Sequence, residues 1–392
     1  MSWEHNERGM ALPAVVFTLA IMAVMASVAF RTADDERRSA WAAKESGVAL
    51  YAAEAGLRST MANWPSPEPM MAAGATLDLG WQLLPNKSTY HATIQRVDRG
   101  VGLQVFAVVV EAKSRGAQGG RSRISGMVAA VPTFTSGIFS EGDATISGGG
   151  FTDSYNSSVS PYNPAAADSG GSITTNGNID LSGNPTIIKG DATARGTVSS
   201  GVVTGTVTNN APPFPTKEIK PCPSGGFTPA AYLPSGSGIS YNATSGALSL
   251  SGGGILTLPS PPSVFYFSSI SLSGGSQLYT SGPSTIYVSG SVDFTGGTVV
   301  NSTTVPANLA LVSCGTASTA GWKLSGGSGA YLTVYAPNHP ITLSGSGDIY
   351  GALIGASYTS TGGSKLHFDE ALLNAPTNRR VVLTGSWIQM GN

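Results

Sequence analysis

The feature that most constrains this chain is an uncharged segment of 21 residues near its N-terminus. From Met10 to Phe30 no Asp, Glu, Lys or Arg occurs, and Arg8 and Arg31 flank the run. As an α-helix it would be about 31 Å long, close to the hydrocarbon thickness of a bilayer. The apolar core of a cleaved secretory signal is shorter, roughly 7 to 15 residues. The segment therefore predicts a membrane-spanning helix.

This helix is predicted to continue beyond the membrane as a stem that ends at residue 64. Residues 34–63 contain no proline, and Pro65 and Pro67 end the helical pattern. Small and apolar residues recur at steps of three and four from Ala40 to Trp64, which places them on one face. Two interpretations of this stripe stay open. It covers a following sheet, or it packs against neighbouring subunits.

Two sequence blocks in this region carry a family resemblance. They are Glu7-Arg8-Gly9-Met10-Ala11-Leu12 and Ala49-Leu50-Tyr51-Ala52-Ala53-Glu54-Ala55-Gly56-Leu57-Arg58. With the apolar run between them, residues 7–61 resemble the N-terminal domain of PilX-type type IV pilus assembly proteins. The resemblance implies that a prepilin peptidase removes residues 1–9 by cleaving between Gly9 and Met10, and that the helix packs with other pilin-like subunits. General type IV pilins have glutamate at the fifth mature position, where this chain has Ala14, and this difference disfavours a major filament subunit.

Residues 75–131 are predicted to form a small antiparallel β-sheet domain. Alternating apolar positions indicate strands over 89–96, 103–111 and 122–131, and Asp98-Arg99-Gly100 is the clearest turn. A long helix followed by such a sheet is the general pilin layout, which is an argument by analogy.

From Pro132 onward the composition changes and a short phrase recurs. The first 131 positions hold 24 of the 43 charged residues. An apolar residue, then Ser or Thr, then Gly occurs at Ile146, Leu181, Leu250, Leu272, Phe294, Leu324 and Leu343. The last five follow one another at intervals of roughly 20 to 30 residues, which are typical of a parallel β-helix, whose coils bury apolar residues by stacking. The predicted fold is mainly β, with a helical stem, a small antiparallel sheet and a Gly/Ser-rich parallel β-helix (solenoid) over 132–392.

Two further features lie within the predicted β-helix. Residues 211–223 contain five prolines and predict a loop or a crossover between two parts of the solenoid. Cys222 and Cys314 lie in the part expected outside the cytoplasm, where a disulfide can persist, although spacing alone leaves open a bridge or two separately buried thiols. Residues 349–372 resemble the end of a β-helical domain of unknown function found behind PilX-type stems.

The distribution of charged residues argues against catalysis. Parallel β-helices include polysaccharide lyases and glycosidases, whose reactions need paired carboxylates or a carboxylate with a strong base. No Asp, Glu, Lys or Arg occurs from Pro221 to Val292. His367, Asp369 and Glu370 form the one local cluster, and it is open to two interpretations, an acid-base or metal group and a polar cap. We expect no enzyme activity, no catalytic residues, no cofactor and no metal.

The expected function is that of a minor pilin-like structural or adhesive surface protein. The net charge of −1 and the pI near 6.4 disfavour a nucleic-acid partner. Uncharged faces with Ser, Thr, Asn and Tyr suit a glycan or a protein surface, and the tyrosines considered as contacts are Tyr155, Tyr162, Tyr266, Tyr279, Tyr287 and Tyr358. The alternative is a stand-alone envelope protein whose β-helix polymerises or binds cell-wall polysaccharide. In both cases the C-terminal part is expected outside the cytoplasmic membrane.

Overall fold

The chain folds as two units. The computed structural model describes residues 11–64, 71–72, 74–97, 104–115, 119–130, 132–183, 185–199, 201–233, 235–259, 263–315, 320–324, 329–374, 380–382 and 388–390. Contacts divide the chain into residues 1–131 together with 380–392, and residues 132–379. The predicted fold class is confirmed, because one long N-terminal helix precedes a mostly β body with antiparallel and parallel sheets.

The first unit begins with α1, Ala11–Ala62, a helix of 52 residues. Its proline, Pro13, lies in the first turn, where no intrahelical hydrogen bond is lost. Among the described residues it is the one helix long and apolar enough to cross a membrane. From Leu12 to Lys44 every side chain is exposed except the half-buried Asp34. The apolar run and the stem are therefore one continuous helix.

An antiparallel sheet follows the helix. Its first four strands are β1 (Thr76–Leu83), β2 (Thr89–Arg96), β3 (Gln104–Lys113) and β4 (Arg121–Ala130), paired in that order. The last three correspond to the strands expected from the alternating pattern. The sequence analysis did not predict β1, whose outward positions are mostly exposed.

The last turns of α1 pack on this sheet through small side chains. Ala52, Ala53 and Leu57 join a core with residues from β2, β3 and β4, among them Ile94, Phe106, Val108, Val110, Ile124 and Val128. The helix lies so close that a Cβ on Gly56 would be 2.6 Å from the ring of Tyr90. The second half of the stripe thus covers the sheet, whereas Ala40 and Ala43 in its first half are exposed.

Replacing Gly56 by Ala is expected to lower the free energy of unfolding of this unit by about 1–3 kcal/mol, because the added methyl overpacks the contact with Tyr90. Gly47 on the same helix is the matched control, since a Cβ there meets nothing within 4 Å. Gly47→Ala should raise stability by about 0.5–1 kcal/mol through helix propensity alone. Urea denaturation in detergent measures both, and effects of the same sign would contradict the packing argument.

Within its described residues, the second unit consists of four 3₁₀ helices, strands of two to five residues, and two longer strands of 14 and 13 residues. The 3₁₀ helices are Pro164–Ala166, Ala230–Tyr232, Pro306–Asn308 and Glu370–Asn374. The strands are β5 Ile138–Ser140, β6 Ala144–Ile146, β7 Phe151–Tyr155, β8 Ile173–Thr175, β9 Ile179–Leu181, β10 Ile187–Ile188, β11 Ala192–Ala194, β12 Val202–Val203, β13 Val207–Thr208, β14 Ile239–Asn242, β15 Ala247–Leu250, β16 Ile255–Leu258, β17 Val264–Phe267, β18 Ser269–Leu272, β19 Gln277–Thr280, β20 Ser284–Val288, β21 Val292–Asp293, β22 Thr298–Asn301, β23 Leu309–Ser313, β24 Trp322–Lys323, β25 Ala330–Leu343, β26 Asp348–Ser360 and β27 Lys365–Asp369.

These strands stack as the coils of a parallel β-helix, at the spacing of the sequence phrase. Leu250 pairs with Leu272, which begins the next occurrence of the phrase. Val292 pairs with Trp322, and Trp322 pairs with Ile341. Each of these three residues lies two positions before an occurrence of the phrase. All five side chains are buried in one continuous core. The variable steps along the sequence are therefore the lengths of successive coils.

The glycines of the phrase turn one corner of the coils. Gly148, Gly183, Gly252, Gly274, Gly296 and Gly345 all have positive φ, a conformation that costs an L side chain about 1–2 kcal/mol. At Gly274 the corner is also crowded, because a Cβ would lie 2.9 Å from the backbone nitrogen of Gly252 in the adjacent coil. Both the turn and the stacking therefore favour glycine. Gly326 lies outside the described residues.

The chain enters the stack of coils in its middle. Strands β5 and β6 pair with β26, and β7 pairs with β27, so the first coil lies on the last. Residues 138–208 continue to one end of the stack through β8 to β13. Residues 239–374 begin at the other end and return to the middle. We call the contact of β26 and β27 with β5, β6 and β7 the seam.

Residues 209–238, which we call the strap, connect the two ends of the stack and include the predicted crossover. Phe214 exchanges two backbone hydrogen bonds with the side-chain amide of Asn176. The backbone nitrogen of Lys217 donates to Glu141 Oε1 at 2.5 Å, and the hydroxyl of Tyr335 donates to the carbonyl of Glu218 at 2.7 Å. A disulfide joins Cys222 of the strap to the fully buried Cys314. The strap is therefore fixed to both parts of the solenoid.

Two strands near the C-terminus correct the predicted boundary of the β-helix domain. The sequence analysis placed residues 380–392 in the solenoid. In the structure β28 (Arg380–Val382) and β29 (Ile388–Met390) pair antiparallel with β4 of the first unit. Each of these two strands has three residues, which is too few for an alternating apolar pattern that would indicate the sheet to which it belongs. In the sequence the solenoid is therefore inserted between β4 and two strands that pair with it.

Candidate functional site

The first candidate surface is the N-terminal half of α1. Its apolar side chains lie in the open, with Phe17 68% and Phe30 77% exposed. A soluble protein rarely leaves an apolar surface of this size without a partner, because its contact with water is unfavourable. The predicted processing site, Gly9 and Met10, lies outside the described residues.

The second candidate is a polar cluster at the seam, built around a buried Asp–His pair. His367 Nδ1 lies 2.5 Å from Asp153 Oδ1, and the hydroxyl of Tyr162 donates to Asp153 Oδ2 at 2.9 Å. Only 2% of the His367 side chain and 1% of the Asp153 side chain are exposed. The two residues are 214 positions apart, and the parallel register of β27 on β7 sets them side by side.

Aromatic rings extend this cluster across neighbouring coils. Tyr331, Tyr350 and His367 occupy successive in-register positions on β25, β26 and β27. The Tyr331 and Tyr350 rings stack at 4.3 Å, and Tyr350 stacks on His367 at 4.7 Å. The ring of Tyr162 lies 4.1 Å from that of His367. Parallel stacking thus aligns rings from separate coils into one column.

The carboxylates that the sequence analysis grouped with His367 bond elsewhere. Asp369 accepts hydrogen bonds from the backbone nitrogen and hydroxyl of Ser157 at 2.9 and 2.7 Å. Glu370 accepts one from the hydroxyl of Ser154 at 2.7 Å. These bonds hold the chain that follows β7 against the seam, which favours the polar-cap interpretation. Within the described part of the chain, no group of three or more His, Cys, Asp or Glu could hold a metal ion.

The tyrosines of the cluster are held in their neutral form. Burial raises the pKa of Tyr155, and the Asp369 carboxylate raises it further. Burial and the hydrogen bond to Asp153 raise the pKa of Tyr162. Burial, with the nearby Asp348 carboxylate, raises the pKa of Tyr350 to about 12. At physiological pH these phenols therefore act as neutral hydrogen-bonding and stacking groups.

The tyrosines considered as ligand contacts divide by burial. Tyr155 and Tyr358 are buried, with 5% and 3% exposed. Tyr162, Tyr266, Tyr279 and Tyr287 are half-buried. Tyr162 belongs to the seam cluster, and Tyr266 packs on Phe227 with ring centroids 4.7 Å apart. Packing within or between coils therefore accounts for at least four of them.

A second buried histidine has different surroundings. His339 is fully buried, its Nδ1 lies 2.7 Å from the carbonyl oxygen of Ala320, and its ring lies 5.3 Å from that of Trp322. Burial lowers the pKa of His339 below its usual value near 6.5, and the hydrogen bond to Ala320 only partly offsets this. The ring is therefore held neutral in the folded chain.

The buried position of His339 predicts that the folded protein loses stability in mild acid. Below about pH 6.5 the unfolded chain binds a proton at His339 that the folded chain resists, so the free energy of unfolding falls as the pH falls. His339→Asn keeps a donor near the Nδ1 position and removes the titration. Thermal unfolding from pH 7.5 to 5.5 should show a smaller decline for the variant than for the wild type, and parallel declines would refute the assignment.

Sequence reasoning considered Tyr162 only as a ligand contact, and it did not single out Asp153. Neither belongs to a local motif, and both lie far from His367 in the sequence. The sequence would have indicated the contact between Asp153 and His367 only if the stacking of the first coil on the last had been known. The spacing of the phrase gives only the lengths of successive coils.

The chain is similar to one family model and to a solved pilin structure. Residues 268–375 match the model of a domain of unknown function, DUF7305. The chain is also similar to the crystal structure of the competence-associated pilin ComZ from Thermus thermophilus, with 12% identity over 89% of this chain and 97% of that chain. The TM-score is 0.29, which is too low to support an argument about fold or function. No curated protein matches significantly. The family match covers β18 through the last 3₁₀ helix, which includes His367 but not Asp153.

Proposed function

We propose that this chain is a membrane-anchored surface protein of the type IV pilin-like kind, a minor structural or adhesive subunit rather than an enzyme. The observation that carries the proposal is the division of α1. Its first part is apolar and exposed, and its last turns pack on an antiparallel sheet. A helix of this design places its apolar half in a bilayer or among similar helices while the sheet stays outside.

The resemblance of residues 7–61 to PilX-type proteins adds the expected processing and partners. A prepilin peptidase would cleave between Gly9 and Met10, and the mature helix would pack with other pilin-like subunits. The solenoid would then project from the outer side of the cytoplasmic membrane or from a filament. Its uncharged faces suit a glycan or a protein surface as ligand.

A non-enzymatic role fits the chemistry of the seam cluster. Asp153 and His367 are almost fully buried and already bonded to each other, so neither meets a substrate. Acid-base catalysis needs a group within hydrogen-bond reach of the reacting atom. The carboxylates Asp369 and Glu370 accept hydrogen bonds from serines of the same unit. The cluster is therefore suited to holding coils together.

Mass spectrometry of the mature N-terminus tests the pilin-like role. Protein is recovered from membranes and from material sheared off the cell surface. We expect a chain that begins at a methylated Met10 and occurs in the sheared fraction. Gly9→Val, which should block the peptidase without touching the exposed helix, should leave an intact Met1 in the membrane fraction alone.

The same measurement separates the alternative function. An intact Met1 confined to membranes in the wild type would contradict pilin-type processing. It would favour a stand-alone envelope protein whose solenoid polymerises or binds cell-wall polysaccharide. No observation on the described residues favours that alternative now.

A further inference from the structure

The two ends of the solenoid core differ in how they are closed. At the end that carries β14, the apolar side chains that point into the coil are at most 1% exposed, and they are Leu248, Leu250, Leu256, Leu258, Phe265 and Phe267. There β14 covers β15 by antiparallel pairing. Thr228 of the strap exchanges hydrogen bonds of 2.9 and 2.7 Å with the backbone of Tyr266 on β17. The chain itself therefore caps this end.

The opposite end, which we call the open end, is formed by residues 196–208 and includes β12 and β13. Val203 pairs with Ile188, and Val207 pairs with Ala192. Both partners are fully buried in the core, and in-register residues of parallel strands point to the same side, so both valines point into the coil. Val207 is nevertheless 46% exposed. The apolar core therefore ends here in contact with water.

The backbone of the open end is directed outward as well. The Val202 amide donates to the carbonyl of Thr186 at 3.1 Å, and the Thr204 amide donates to the carbonyl of Ile188 at 2.9 Å. Backbone groups of successive residues in a strand point to opposite edges, so the amide and carbonyl of Val203 point away from β10. Groups of this kind at an edge are a template for a further strand.

The sequence of the open end has none of the residues that usually prevent edges from pairing. Exposed edges in natural proteins commonly carry lysine, proline or an inward-pointing charge. Residues 196–208 consist of Gly, Ser, Thr and Val alone. Val and Thr favour strands, and the absence of charge removes repulsion between two such segments. The open end is therefore compatible with a copy of itself.

We propose that the open end pairs with the open end of a second copy of this chain. A twofold axis across the stack reverses the strand direction, so the edge pairs antiparallel with itself and the two apolar ends cover each other. The capped end presents no equivalent surface for head-to-tail joining. The result is a closed pair rather than a polymer. This pairing goes beyond the proposed anchoring role and does not depend on cleavage after Gly9.

The size of the open end predicts reversible pairing. It contributes 13 residues, whereas each partner of a standard stable interface contributes roughly 20–30. We therefore expect pairs at high protein concentration and single chains on dilution. Sedimentation equilibrium of the full chain, in detergent matched to the solvent density, measures this. A wild type that stays single at every concentration would overturn the proposal and leave the edge for a strand of a different protein.

Two lysine substitutions locate the interface. Val207→Lys places an unpaired charge inside the interface and should weaken pairing by about tenfold or more. Val264→Lys is the matched control, because Val264 lies at the capped end and is 50% exposed, so pairing should be unchanged. Equal pairing of the wild type and Val207→Lys would place the interface elsewhere, for example on α1. Loss of pairing in both variants would mean head-to-tail joining, and either result would contradict the proposal.

Hydrogen exchange of the wild type tests the same surface without a substitution. Peptides covering residues 196–208 should exchange about tenfold more slowly at a concentration where pairs form than after dilution, because pairing engages the backbone groups of the edge. Peptides covering β16 at the capped end should exchange equally at both concentrations. If the open end also exchanges equally at both, the chains do not pair through it.

Discussion

Replacing both Cys222 and Cys314 by serine is expected to lower the free energy of unfolding of the solenoid by about 4 kcal/mol. The disulfide joins residues 92 positions apart, and a cross-link that closes a segment of this length removes much of the conformational entropy of the unfolded chain. The strap that it fixes crosses from one end of the stack to the other. Without it, the strap keeps its hydrogen bonds to Asn176, Glu141 and Tyr335.

The experiment is urea denaturation followed by hydrogen exchange of solenoid peptides. The reduced wild type is the matched control, because it lacks the bond but keeps both sulfur atoms, and it should behave like the double variant. The helix and antiparallel sheet of the first unit should be unaffected. If the oxidised wild type and the variant unfold at the same urea concentration, the bridge contributes nothing measurable to stability.

Replacing Phe267 by Ala is expected to cost about 3–5 kcal/mol, because the side chain is fully buried and its removal leaves a cavity. Phe267 ends β17 and belongs to the continuous core of the coils. Its neighbours along the stack are held by parallel pairing, so they collapse poorly into the space.

Val264 on the same strand provides the control. Half of its side chain is exposed, so Val264→Ala should change stability by less than about 0.5 kcal/mol. The same denaturation measurement compares the two variants. Similar losses at both positions would mean that strand propensity, rather than burial inside the coil, determines stability here.

Local sequence patterns determined the main elements of this protein. The uncharged run from Met10 to Phe30 predicts a long apolar helix. Its length and its lack of charge can be seen directly, because both are properties of consecutive residues. The recurring phrase predicted the coils, and Leu250 does pair with Leu272 at that interval. The prolines of residues 211–223 marked the crossover. Each of these signals is carried by residues that lie close together along the chain.

The tertiary structure alone decided how these elements are arranged. Each coil of a solenoid contacts only its neighbours in the stack, and the spacing of the phrase gives the length of a coil but not which distant coil lies beside it. The sequence therefore did not reveal that the chain enters the stack in its middle, that β27 lies on β7, or that β28 and β29 return to β4. The Asp153–His367 pair and the bridge from Cys222 to Cys314 follow from these long-range contacts. Their partners are chosen by three-dimensional proximity, which no periodicity along the chain encodes.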